Sequence, residues 1–331
     1  MNGVEDLPKV ELHLHLEGAA PPGLIRDLGA EKGIDLSGVF TADGGFAWGD
    51  FAEFLDTYMK ACKVLTDPGA FGRLTEAVLA KSAADGVIYT EIFVSPDICG
   101  GGDPIAWQEY LAAILQGAEA ARSAHGIEAR FIPTCIRNLG PDTAENAARL
   151  AADTIGPMVT GFGMGGEERY LRAADFARAF DIAREAGFGI TSHAGEICGP
   201  DSVIETLDHL RPTRIGHGVR AIEDPDLVAR LADEGIVLEV NPGSNVALSV
   251  FPSWAEHPIE RLRAAGVPVT VSTDDPPYFE TDMRREYRTL ADTFGWGTDD
   301  FHALNQTALD AAFCDTQTRT RMRALLTGTA P

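Results

Sequence analysis

Eight short, β-rich apolar runs recur along this chain, and longer amphipathic runs separate them almost throughout. The short runs are 9–16, 87–94, 128–136, 159–164, 189–194, 214–219, 236–241 and 268–273. Helix-like stretches lie between them at 105–124, 142–155, 171–186, 201–210, 225–234 and 257–265, and the segment 21–83 and the tail from 283 are helical in pattern too. Gly187, Gly235 and Gly266 supply stops after three of these stretches, and Asp201 and Asp224 are suited to cap the start of two. Strands alternating with helices predict a parallel sheet, and eight is the number that closes a TIM (β/α)8 barrel. A doubly wound open sheet would carry a Gly-rich phosphate loop after its first strand. Gly44-Gly45 and Gly100-Gly101-Gly102 do not open helices in that way. No repeat or Pro-rich linker interrupts the pattern, so the expectation is one domain over 1–331, with extra helices after the first strand and at the C-terminal end.

Composition narrows the partners. Fifty acidic residues against 27 basic ones leave a formal charge of −23, which opposes phosphate backbones and anionic membranes. The balance favours a small neutral or cationic substrate and no nucleic-acid partner. No run of about 18 apolar residues suggests a membrane span. The acidic first residues do not resemble a signal peptide, and the five scattered cysteines contain no Cys-x-x-Cys. The expected location is therefore the cytoplasm.

The polar residues that interrupt the strand pattern carry the chemistry. Side chains two apart on a strand share a face, so His13 and His15 in Glu11-Leu12-His13-Leu14-His15-Leu16 aim at one point while Leu12, Leu14 and Leu16 bury opposite. His193-Ala194-Gly195-Glu196 ends the fifth run, His217 the sixth, and Asp274-Asp275 the eighth. In a TIM barrel those strand ends share the rim where active sites form. Three imidazoles and one carboxylate suit Zn²⁺: His13, His15, His193 and Asp274 as ligands. Zn²⁺ lowers the pKa of a bound water to about 7. Glu196 stands near enough for general acid–base work, His217 to orient the attacking oxygen, and Asp275 to face a substrate. Amidohydrolases with two metals bridge them through a Lys on the fourth strand. The five lysines all precede that strand, so one zinc per chain is expected. His125, His209, His257 and His302 read as ordinary, and Cys198 as a buried bystander.

Four motifs in order resemble the adenosine deaminase family over roughly 8–325. They are Pro8-Lys9-Val10-Glu11-Leu12-His13-Leu14-His15-Leu16-Glu17-Gly18, His193-Ala194-Gly195-Glu196, Gly216-His217-Gly218 and Ser272-Thr273-Asp274-Asp275-Pro276. The resemblance implies a zinc-dependent hydrolase of purine salvage. It implies that Glu196 protonates purine N1, His217 positions the hydroxide, Asp275 bonds N7, and the Gly166 amide bonds N3. It also implies that Glu17 stands where typical adenosine deaminases have an Asp facing the ribose, and that the adenine deaminase branch has Glu there. That branch commonly carries Ser near Gly166 and Ser-Asp-Asp-Pro in place of Thr273-Asp274-Asp275-Pro276. Two cues against one make adenosine (with deoxyadenosine) the expected substrate, with adenine or another 6-aminopurine as the alternative. A barrel that had lost catalysis would show a damaged ligand or a lost Glu196, and none is missing. Zinc deaminases that flip bases use a Pro-Cys-x-x-Cys setting, which is absent.

Phe51, Phe54, Leu55 and Tyr58 recur at helical spacing within the first insertion. They predict a helix that covers the substrate pocket, with packing beneath the barrel's own helices as the other possibility. The sequence leaves the oligomeric state open.

Overall fold

In the computed structural model, which describes residues 3–329, all eight strands form and every pairing is parallel. They are β1 (Lys9–His15), β2 (Val87–Val94), β3 (Glu128–Ile136), β4 (Gly161–Gly165), β5 (Gly189–Ala194), β6 (Arg214–His217), β7 (Val237–Val240) and β8 (Val269–Val271). Their spatial order follows the chain from β1 to β8. The last seam is made past the end of β8. Asp274 donates its amide to the His13 carbonyl at 3.1 Å, and His15 donates to the Asp274 carbonyl at 3.0 Å. This α/β arrangement is a TIM barrel, so the ends of its strands meet on one rim.

Differences from the sequence expectation have local causes. β4 starts two residues late because Val159 is engaged in bridges to Gly156 and Phe131. β6 stops at His217 because that residue takes φ +61° and turns the chain. The expected helix over 171–186 divides into a 3₁₀ turn, Ala173–Phe176, and an α-helix, Ala177–Ala186. Asp201 is not the cap of its helix. That helix begins at Pro200, whose fixed φ suits a first turn, with Gly199 at the cap. Asp224 does cap, accepting from the amides of Asp226 and Leu227.

The first insertion forms helices Pro22–Lys32, Phe51–Cys62 and Pro68–Ala84. Phe71 of the third packs edge-on against Tyr110 of the helix Pro104–His125, with ring centroids 5.2 Å apart. Each such large apolar side chain contributes roughly 1.5–3 kcal/mol on burial. The tail helices Met283–Phe294, Thr298–Ala311 and Thr316–Leu326 reach the other end of the barrel. There Leu309, Met322 and Leu326 pack on Val10, Leu12 and Tyr89.

The barrel interior is partly polar. Arg214 is wholly buried, forms an ion pair with Glu91 at 2.7 Å and donates to Glu239 at 2.6 Å. Its guanidinium lies 3.6 Å from the centre of the Phe313 ring. No helix among the described residues is long and apolar enough to cross a membrane.

Candidate active site

Strand alternation does what the sequence suggested at β1. Leu12, Leu14 and Leu16 are buried, and His13 and His15 point inward to the rim. β5 brings His193 and the turn after β8 brings Asp274. One donor atom from each of these four residues lies within 4.8 Å of all the others. His15 Nε2 is 3.1 Å from His193 Nε2 and 3.2 Å from Asp274 Oδ1, and His13 Nε2 is 3.4 Å from the same oxygen.

The hydrogen bonds behind the imidazoles test whether a cation fits. His13 Nδ1 bonds Glu239 Oε2 at 2.8 Å, and His193 Nδ1 bonds the Met164 carbonyl at 2.8 Å. Both acceptors fix the proton on Nδ1 and leave Nε2 as a lone pair aimed into the site. His13 Nε2 is buried with no hydrogen-bond partner. Asp274 is held by Ser244, whose hydroxyl donates to Oδ2 at 2.7 Å. Burial alone opposes its ionisation, but His13 and His15 keep its carboxyl well below the usual range. Three imidazoles and one carboxylate, with His13, His193 and Asp274 braced from behind, form a donor set that suits a divalent zinc ion. Asp274 holds φ +67°, a strained conformation for a non-glycine residue that the closing seam of the barrel maintains.

Glu196 and His217 flank this set. Burial, with Asp274 and Glu168 next in effect, pushes the Glu196 carboxyl well above the usual carboxylate range. Burial thus favours the protonated form of this carboxyl. His217 Nδ1 lies 3.7 Å from Glu196 Oε1, and its Nε2 lies 3.8 Å from Asp274 Oδ2. Asn245 Nδ2 donates to His217 Nδ1 at 3.1 Å, so the ring carries its proton on Nε2, toward the site. Burial lowers its pKa to about 3, which keeps the ring neutral. Asp275 is pushed well above its usual value by burial, then by Asp274, Glu196 and Glu17. Its carboxyl lies so close to Gly18 that a Cβ there would sit 1.5 Å from Oδ1, so only glycine fits beside it.

A cavity of about 680 Å³ opens above these groups. Glu17, Gly166, Glu196, His217 and Asp275 all line it, as do Phe51, Phe54, Leu55 and Tyr58. Glu17 is buried, its Oε1 has no partner, and burial raises its pKa to about 7. The helix Phe51–Cys62 thus walls the pocket. Phe54 also packs on Trp48, Tyr278 and Phe279, so that wall is joined to the body of the protein.

Several supporting residues carried no motif. Glu239, Ser244, Asn245 and Glu168 were not singled out. A Glu in the buried run Val237-Leu238-Glu239-Val240 was the one visible signal among them. His257 is not ordinary: it is buried, and its Nε2 bonds Asn245 Oδ1 at 3.1 Å behind His217. His125, His209 and His302 are exposed and take no part. Cys198 is half-buried rather than buried, and what it offers to the site region is its backbone amide.

A parallel eight-stranded barrel with a His/Asp donor set at its rim defines a hydrolase that acts on C–N bonds, given the relatives it has. Residues 8–328 match the family model for adenosine deaminase, and the chain belongs to that family of deaminases. A curated adenine deaminase of Rhizobium johnstonii is 51% identical over 318 residues, covering 96% of this chain and 98% of the relative. The crystal structure of adenine deaminase from Arthrobacter aurescens superposes with a TM-score of 0.88 at 28% identity, covering 97% of this chain and 98% of that one. An amidohydrolase from Burkholderia ambifaria, solved with bound Zn, superposes at 0.87 and 28% identity, covering 98% of this chain and 91% of that one.

Proposed function

We propose that this protein hydrolyses adenine to hypoxanthine and ammonia, using one zinc ion per chain. This departs from the adenosine reading of the sequence and takes up its alternative. The observation that carries it is Glu17, a buried carboxyl with an unpartnered oxygen on the pocket wall. Glu is one methylene longer than the Asp that adenosine deaminases turn toward the ribose, so it extends into the space a sugar needs. Free adenine offers an N9–H donor on the edge where a nucleoside carries its sugar. The adenine deaminases at about half identity over nearly the whole chain support the same choice.

Zinc held by His13, His15, His193 and Asp274 would supply activated water at neutral pH. The protonated Glu196 carboxyl delivers its proton to purine N1, which draws electrons from C6 and opens it to attack. His217 donates from Nε2 toward the attacking oxygen. The protonated Asp275 carboxyl donates to N7, and the Gly166 amide donates to N3. The apolar faces of Phe51, Phe54 and Leu55 exclude bulk water from the ring. The C6–N bond breaks as ammonia takes a proton through Glu196, and hypoxanthine leaves.

Zinc-loaded protein should convert adenine to hypoxanthine and ammonia one to one. Glu196→Gln should retain zinc and fold but lose roughly 10²–10⁴-fold in kcat, the usual worth of general acid–base catalysis. No hypoxanthine from the unmodified enzyme refutes the substrate. A loss under about tenfold in Glu196→Gln refutes the proton donor.

A further inference from the structure

Glu168 stands just beyond β4, in the loop that follows Gly165. No motif marks it. Its carboxylate is 5% exposed and accepts five hydrogen bonds. Four come from consecutive backbone amides of the turn after β5: Gly195 at 2.5 Å, Glu196 at 3.2 Å, Ile197 at 2.8 Å and Cys198 at 2.8 Å. The fifth comes from the Ser202 hydroxyl at 2.5 Å.

Consecutive amides converging on one point form a nest that ordinarily holds an anion. Here the anion is a side chain from the neighbouring strand end. Gly195 makes the turn possible. It takes φ +69°, and a Cβ there would lie 2.4 Å from Val203 Cγ2. On the outer side Arg220 donates to the Ile197 carbonyl at 2.5 Å, so the turn is gripped from both faces. Arg137 in turn bonds the Glu168 carbonyl at 3.1 Å and fixes the segment that carries the carboxylate.

We propose that Glu168 is a positioning residue for catalysis: it clamps the 195–198 turn so that the Glu196 carboxyl is held at the distance needed to reach the purine. It does not line the substrate cavity. A helix start alone needs no such clamp, because the helix after this turn begins at Pro200 and all four amides that Glu168 accepts from precede it, with only the Ser202 hydroxyl coming from the helix itself. Three of the four amides belong to residues with no polar task of their own, and the fourth is that of Glu196 itself. Charge-assisted hydrogen bonds are roughly twice as strong as neutral ones, which suits a clamp that must hold through each turnover. A glutamine of the same shape cannot replace it. Its carbonyl oxygen accepts about two bonds, and its amide group would face donors with donors.

The inference rests on Glu196 acting as proposed, and the tests separate the two. In Glu168→Gln, kcat should fall about 10²-fold, the effect of misplacing a catalytic group by about 1 Å. KM for adenine should stay within threefold, and zinc content should be unchanged. Amide exchange at 195–198 should accelerate, a readout that needs no substrate. In a Glu196→Gln background the same change should cost nothing further, because the group it positions is gone. A purely structural role predicts a lower melting temperature, near-normal kcat in the folded fraction, and equal losses in both backgrounds. Exchange at 195–198 no faster than in the unmodified protein overturns the clamp, whatever purine is converted. So does kcat within threefold while the unmodified enzyme is active. If Glu168→Gln does not fold, Glu168→Asp keeps the charge and withdraws it by one methylene. A kcat loss above tenfold at unchanged KM is then expected, and retention of full kcat overturns the proposal.

Discussion

Glu239 Oε2 lies 2.8 Å from His13 Nδ1, and its other oxygen accepts from Arg214 at 2.6 Å and Thr191 at 2.9 Å. A chain of buried polar groups thus runs from the barrel interior to a proposed zinc ligand. Burial alone would raise the Glu239 carboxyl, but Arg214 and then His13 hold it down to about 2. A carboxylate behind a ligating imidazole sets its tautomer and raises its basicity, and losing such a partner typically costs 10–100-fold in metal affinity. Glu239→Gln should therefore weaken zinc binding by about that factor in competition with a chelator. Affinity within twofold of the unmodified protein would show that His13 needs no such brace, or is not a ligand.

Phe54 serves two surfaces at once. It is 6% exposed, packs on Trp48, Tyr278 and Phe279, and lines the substrate cavity. Phe54→Ala should lower unfolding stability by about 3–5 kcal/mol, the usual cost of emptying such a site. It should also raise KM, because a wall of the pocket is removed. Denaturant melts and adenine kinetics on the same sample check both. Lost stability with unchanged KM would make the helix Phe51–Cys62 packing alone.

Glu286 gives stability a pH dependence away from the metal site. It is fully buried and accepts from the Gly243 amide at 3.2 Å and the Thr281 hydroxyl at 2.5 Å. Arg285 and Glu11 are the charged groups that act on it. Burial raises its carboxyl from 4.5 to about 8. The folded state therefore binds this proton more tightly than the unfolded chain does. Its contribution is full below about pH 4.5 and declines as pH rises toward 8, by at most about 1.4 kcal/mol per pH unit. Glu286→Gln should flatten the stability profile over that window and gain on the unmodified protein at pH 8. Parallel profiles for the two proteins would contradict the assignment.

The barrel and the rim residues were legible because their signals are local. Period-two alternation in Glu11–Leu16 announces which way His13 and His15 point, and helical stops such as Gly187 and Gly235 mark the units between strands. The left-handed turn at His217, which ends β6 early, has no such signal. Neither do Glu168 and Asn245, whose partners are brought near only by the closed barrel. Arg214, Glu91 and Glu239 lie in strand runs where an apolar interior would be expected, and their mutual pairing together with bonds to His13, Thr191, Tyr89 and the Ala311 carbonyl accounts for their burial. The choice of purine turned on a single methylene at Glu17, and cues at Gly166 and Thr273 outweighed it in the sequence reading. In the structure Glu17 stands apart from them as a buried carboxyl with one unpartnered oxygen on the pocket wall.

The preferred purine is decided by kcat/KM for adenine and adenosine measured side by side on one zinc-loaded preparation. A site built to bond a polar group can reject an analogue that lacks it by as much as roughly 10⁴–10⁵. Adenine should lead by at least about 10³-fold, with Glu17→Ala narrowing that gap chiefly through loss of adenine turnover. Adenosine equal to or better than adenine in the unmodified enzyme would contradict it.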